Sequence, residues 1–167
     1  IILILSSCGG DNVRISLKLA GENRAELERV LRHFEEEGDA EKLAAAEYLI
    51  KYMSWHKSYA PEISAYYDAI DSAIVKIEGR DSFKLMMNSL YDRYSAVIKT
   101  DYDIRAIKAD YLISDIDTAF AVWRGGKWAR HLDFEEFCEY ILPYKCIANQ
   151  PMDDWRIRLL DVARGDI

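Results

Sequence analysis

Three cysteines, Cys8, Cys138 and Cys146, are the residues with the widest chemical reach in this chain. A thiol becomes a nucleophile as its thiolate, which needs an electropositive setting and an imidazole close by. Cys138 sits between Phe137 and Ile141 on an apolar helical face, among Glu135, Glu136 and Glu139. Those neighbours raise a thiol pKa, so Cys138 reads as a small hydrophobe. Cys146 follows Pro143-Tyr144-Lys145, where Lys145 would favour the thiolate, but none of His33, His56 and His131 is near it in sequence. Outside the cytoplasm Cys138 and Cys146 could pair across a helix end and a turn, with a geometry that spacing alone does not fix. No His-x-x-x-His or Cys-x-x-Cys spacing occurs, so no metal and no cofactor is expected. Carboxylate pairs occur at Glu35-Glu36-Glu37, Asp101 with Asp103, Glu135-Glu136 and Asp153-Asp154. Two carboxylates can serve a glycosidase, but on exposed helical faces they act as solvated or capping charges. With no Gly-x-Ser-x-Gly, phosphate loop or dinucleotide fingerprint, no catalytic residue is assigned.

Binding chemistry has two candidates. Trp55, Tyr59, Trp123 and Trp128 could form an aromatic platform that stacks on a sugar or peptide, or they could be packing residues. Glu139, Tyr144, Lys145 and Arg156 read as a structural clasp. The formal net charge of −7 argues against nonspecific nucleic-acid binding, which needs a basic face. It argues equally against an electrostatic grip on anionic lipid.

The elements that would position these groups are helices. Asn23 and Glu26 have capping-box spacing ahead of a stripe of Leu27, Val30, Leu31 and Phe34, which Gly38 ends. Asp39 caps a second helix through Met53, and residues 53–59 connect it to the next. Pro61 opens a third helix with Ile63, Tyr67, Ile70, Ile74 and Ile77 on one face, closed by Gly79. Asp81 caps a fourth, bearing Phe83, Met86, Met87, Leu90, Tyr94 and Val97. Residues 100–105 read as an acidic loop, and residues 108–123 as a fifth helix with Leu112, Ile113, Ile116, Phe120 and Trp123 inward. Asp133 and Glu136 make another capping box for a short helix bearing Phe134, Phe137, Cys138 and Ile141, which Pro143 stops. A last helix from about Asp153 carries Trp155, Leu159, Leu160 and Val162. The fold class is all-α, an irregular bundle of about six or seven helices spanning residues 23–164. Residues 9–22 read as a tether, although Ile15, Leu17 and Leu19 alternate as in a short strand. No run is long and apolar enough to span a bilayer.

An ordered set of motifs carries a resemblance. Asp110-Tyr111-Leu112-Ile113, then residues 116–123, then residues 134–145, then Asp154-Trp155-Arg156 follow one another. Together with residues 23–28 and 42–59 this set resembles the N-terminal helical region of Bacteroidetes lipoproteins of the transglutaminase-like superfamily. The family pattern usually has Arg where Lys145 stands. The resemblance implies a catalytic domain with a Cys-His-Asp/Glu triad further along the same polypeptide, acting on amide bonds. This chain would then be noncatalytic, and the downstream domain would be its partner. The alternative is a helical surface module that binds glycan or peptide through exposed aromatics. Residues 1–8, apolar and ending Leu5-Ser6-Ser7-Cys8, resemble the end of a bacterial lipoprotein signal with Cys8 as the lipidated residue. A lipid anchor there implies a cell-envelope location, on a bacterial membrane and facing periplasm or exterior.

Overall fold

The computed structural model describes the backbone over residues 9–165 and side chains over 12–162. Its class is all-α: nine α-helices and one two-stranded ribbon among the described residues. Seven of the helices are those that periodicity predicts. The other two are α1 (Gly9–Leu19) and the single turn α6 (Asp103–Ala106).

The centre is built from α2 (Arg24–Glu37), α3 (Ala40–Tyr52), α7 (Ala109–Gly125) and α8 (Phe134–Tyr140). Leu27, Val30 and Phe34 recur at helical spacing and are fully buried. Gly38 ends α2 at φ 76°, a left-handed conformation that glycine adopts without strain, and its N–H bonds back to Phe34 and Glu35. Asp39 then opens α3 by accepting from the N–H groups of Glu41 and Lys42. Arg124 of α7 grips the same carboxylate at 2.8 Å, and that bond leads in holding its pKa down to about 2. The small Ala45 and Ala46, both fully buried, let the helices around α3 come close.

Leu112, Ile116 and Phe120 of α7 meet Phe137 and Ile141 in one core. Trp123 stacks on Phe137 with centroids 4.3 Å apart, and Phe120 meets Phe137 edge-on at 4.7 Å. The capping box of α8 closes as expected: Glu136 N–H donates to Asp133, and Asp133 N–H donates to Glu136.

Several expectations are corrected. Residues 9–19 are a helix, neither tether nor strand, so the bundle begins well before residue 23. The reason lies in the phase. Val13, Ser16 and Ala20 fall on one helical face and are buried, whereas the alternating residues Ile15 and Leu19 stay 55% and 47% exposed. Asn23 and Glu26 form no capping box. The Asn23 amide donates to the carbonyls of Ile104 and Ile107, and Glu26 accepts from Ala109 N–H, so both residues tie α2 to the α6–α7 corner. The expected connector and acidic loop pair with each other. β1 (Lys57–Tyr59) runs antiparallel to β2 (Thr100–Tyr102), with Ser58 opposite Asp101. Three-residue strands are too short to show alternation.

α4 (Ser64–Ile74) and α5 (Arg80–Arg93) pack on each other beyond that ribbon. Gly79, at φ 89°, precedes α5 and does not close α4. α9 (Trp155–Gly165) is turned away from its expected phase: Leu159 and Val162 are exposed, and Arg156 is buried. Among the described residues no helix is long and apolar enough to cross a membrane.

Phe137 is fully buried in the ring cluster. Phe137→Ala should lower unfolding free energy by about 3–5 kcal/mol in denaturant melts. A loss under about 1 kcal/mol would contradict this packing.

Candidate functional site

The site forms because Pro143 ends α8 inside the protein. Proline lacks the N–H that a further turn requires, so the carbonyls of residues 141–144 leave the helix without helical partners. Side chains from elsewhere take them. Arg156 donates to the carbonyls of Ile141 at 2.6 Å, Leu142 at 3.3 Å and Pro143 at 2.7 Å. The Trp155 indole and the Tyr111 hydroxyl both donate to the carbonyl of Tyr144, at 2.8 and 2.9 Å. The planar guanidinium also forks onto Asp115 of α7, at 2.9 and 3.3 Å. Both charged side chains are nearly buried. Burial pushes the Asp115 carboxyl above the usual carboxylate range, and Arg156 pulls it back. A buried pair persists only when its remaining hydrogen-bonding groups are satisfied, and the three carbonyls take the Arg156 donors that Asp115 leaves over.

A second buried carboxylate meets the same segment at Tyr144 and Lys145. Asp103, the first residue of α6, is fully buried. The Tyr144 hydroxyl donates to its Oδ2 at 2.6 Å, and Lys145 Nζ donates to the same oxygen at 2.5 Å. Lys145 also reaches the carbonyl of Lys57 at 2.8 Å and Ser58 Oγ at 3.3 Å. An ammonium suits three acceptors spread around one point, and a guanidinium fork is not needed here. The other carboxylate oxygen, Oδ1, has no hydrogen-bond partner. Asn149, at φ 60°, then exchanges backbone hydrogen bonds with Lys57 and Tyr59, so the segment after Lys145 lies along β1.

Tyr144 spends its one proton on Asp103, so the 3.2 Å contact with His56 Nδ1 must run from the imidazole N–H to the phenolic oxygen. His56 Nε2 is then left with its lone pair. Burial and the Lys145 charge hold His56 below the usual imidazole range, and burial pushes Tyr144 well above the usual phenol range. The cluster is a chain of committed hydrogen bonds, His56 to Tyr144 to Asp103, with Lys145 closing it.

Of the four residues read as a clasp, Tyr144, Lys145 and Arg156 come together. Glu139 lies on the exposed face of α8 and forms no hydrogen bond or ion pair with them. The residues that complete the clasp, Asp103, Asp115, Tyr111 and His56, were not grouped with it from the sequence. Asp115 carried a signal: it is an acid next to Ile116, within the inward stripe of α7. Asp103 carried none beyond membership of an acidic run.

The four aromatics do not assemble into a platform. Trp123 belongs to the core, where its indole N–H donates to the carbonyl of Leu132. Tyr59 is half-buried beside an apolar groove of about 790 Å³ that Pro61, Val97, Tyr111 and Met152 also line. Trp55 and Trp128 are 85% and 64% exposed, and no ring contact joins them. Trp55 stands at a cleft of about 380 Å³ shared with His56, Lys57, Cys146 and Asn149.

Cys138 and Cys146 are free thiols. Burial, with Glu135 nearby, pushes Cys138 up to about 12. Cys8 lies outside the described residues. Among the described residues no group of three or more His, Cys, Asp or Glu side chains is placed to hold a metal ion. No family model, curated protein or solved structure matches this chain.

Removing one partner of a buried ion pair strands the other. Arg156→Ala should therefore cost about 3–5 kcal/mol in urea melts. Arg156→Lys should recover only part of that, since an ammonium cannot span a carboxylate and three carbonyls. Full recovery by lysine would mean that charge alone matters at this site.

Proposed function

We propose that this chain is a noncatalytic helical module of a cell-envelope lipoprotein, anchored through Cys8. Its role is to present or position a transglutaminase-like catalytic domain carried further along the same polypeptide. One observation supports the noncatalytic part of this reading: the polar groups of the clasp and the Cys138 thiol are spent on the fold. Arg156 and Lys145 are committed to buried carboxylates and carbonyls, Tyr144 to Asp103, and the Cys138 thiol is buried with its pKa pushed up to about 12. A thiolate nucleophile requires the opposite environment. The ordered motifs around Tyr111, Phe137 and Trp155-Arg156 supply the link to the lipoprotein family, and the same motifs build the clasp.

A second reading rests on Trp55. An indole 85% exposed beside His56, Lys57 and Asn149 offers a stacking face with polar groups at its edge, the combination a glycan- or peptide-binding module uses. Soluble envelope glycans and short peptides titrated against intrinsic fluorescence should then give saturable quenching that Trp55→Ala abolishes. Quenching that survives the substitution, or none at all, removes this reading.

The main reading is tested by assaying the purified chain with glutamine-donor and peptide substrates, beside a Cys138→Ala/Cys146→Ala double variant. The expected result is no turnover by either. Turnover that disappears in the double variant would overturn it and promote an enzyme, with Cys146 and His56 of the shared cleft as the first residues to examine.

A further inference from the structure

The α4–α5 hairpin is built unlike the rest of the molecule. It joins the body through the two short strands of the ribbon, and its helices pack on one another. Along α4 and its flanks, Ile63, Tyr67, Ile70, Ile74 and Ile77 recur in alternating steps of four and three. Along α5 and its flank, Phe83, Met87, Leu90, Tyr94 and Val97 do the same. Such a stripe is the seam of helices that pack at shallow angles in four-helix bundles.

Two helices cover only one side of such a seam. Near the body Ile63 and Leu90 are buried, but further out Tyr67, Ile74 and Phe83 remain 44%, 47% and 41% exposed. Nothing in α4 is buried, and Leu90 is the one buried residue of α5. Isolated helices of 11 and 14 residues are marginal in water without a covered apolar face.

Charge indicates the occupant. α4 carries Asp68 and Asp71 and no cation, whereas α5 carries Arg80, Lys84 and Arg93 against Asp81 and Asp92. None of these side chains forms an ion pair among the described residues, although the body pairs many of its own. An acidic helix beside a net-basic one is self-complementary under a two-fold axis, because each α4 then meets the other copy's α5.

The seam is not the arm's only open apolar surface: Val75 and Leu85 beside it are 79% and 71% exposed. A standard interface removes roughly 800 Å² from each partner.

We propose that the chain forms a two-fold symmetric dimer in which the α4–α5 hairpins of two copies close a four-helix bundle, each α4 lying between its own α5 and that of the other copy. The interface is apolar along the seam through Tyr67, Ile74 and Phe83, and acidic-to-basic along its edges. This is independent of the clasp and of the function proposed above.

Light scattering on the purified full chain, over a wide concentration range, should give the mass of two 19.3 kDa chains. Ile74→Glu with Phe83→Glu should give a single-chain mass, with the near-ultraviolet signal of the Trp123–Phe137 stack retained as evidence that the body is folded. Because the arm itself could unfold in that variant, a second set changes only exposed charges. Asp68→Lys with Asp71→Lys should weaken dimerisation about tenfold or more. Adding Arg80→Glu and Lys84→Glu to it should restore the dimer. A single-chain mass for the wild type at every concentration would overturn the proposal. So would a dimer that persists with both glutamates, or charge variants that neither weaken nor restore it.

Discussion

Pro143 stops a helix inside the protein, and much of the surrounding structure follows from the carbonyls that it strands. Unpaired backbone acceptors away from water are costly, so the segment 141–144 can be buried only if side chains come to it. Arg156 takes three of these carbonyls, and Trp155 with Tyr111 takes the fourth. Drawing Arg156 inward buries a charge, which in turn requires Asp115 on α7. It also fixes the rotation of α9, since the residue that must face inward is now an arginine. Leu159 and Val162 are consequently turned outward.

The same segment reaches the ribbon through the adjacent residues. Tyr144 and Lys145 converge on Asp103, and Lys145 bonds the backbone of β1. Asn149 then adds a partial third strand. The base of the α4–α5 arm is thereby held from below by a polar network in addition to the buried Ile63 and Leu90. Such networks specify one arrangement more than they add stability, because replacing a buried ion pair by apolar residues is often neutral. The clasp thus sets where the ribbon lies relative to the core.

Residues whose partners are local were legible in the sequence. Gly38, Asp39 and the Asp133–Glu136 box act within a few positions of themselves, and their chemistry is written in their spacing. The stripes of α2 and α7 were legible because burial repeats along them. Residues whose partners are distant were not. Asn23 and Glu26 have the spacing of a capping box and spend their side chains on the backbone of residues 104, 107 and 109 instead. Asp103 lay in an acidic run that looked solvated, and its burial depends on a lysine 42 residues away. Within the clasp, Tyr144, Lys145 and Arg156 were visible as an aromatic-basic group following a stopped helix. Glu139 was grouped with them by charge, but one helical step places it on the far side of α8. The ribbon was invisible because each of its strands has only three residues.

The two parts of the molecule therefore stand in opposite condition. In the body, buried acids and bases meet, and the apolar stripes close on one another around Phe34, Phe120 and Phe137. In the arm, a heptad seam is half covered and the charges on its edges are unmatched. A folded chain keeps surface of that kind at some risk of nonspecific association, since exposed apolar patches are where aggregation starts. The body pairs Asp39, Asp103 and Asp115 with cations and buries the apolar stripes of α2 and α7. The arm's unspent seam is then best understood as surface reserved for another helix pair, and the ribbon clasped by Lys145 and Asn149 is what holds that surface clear of the core.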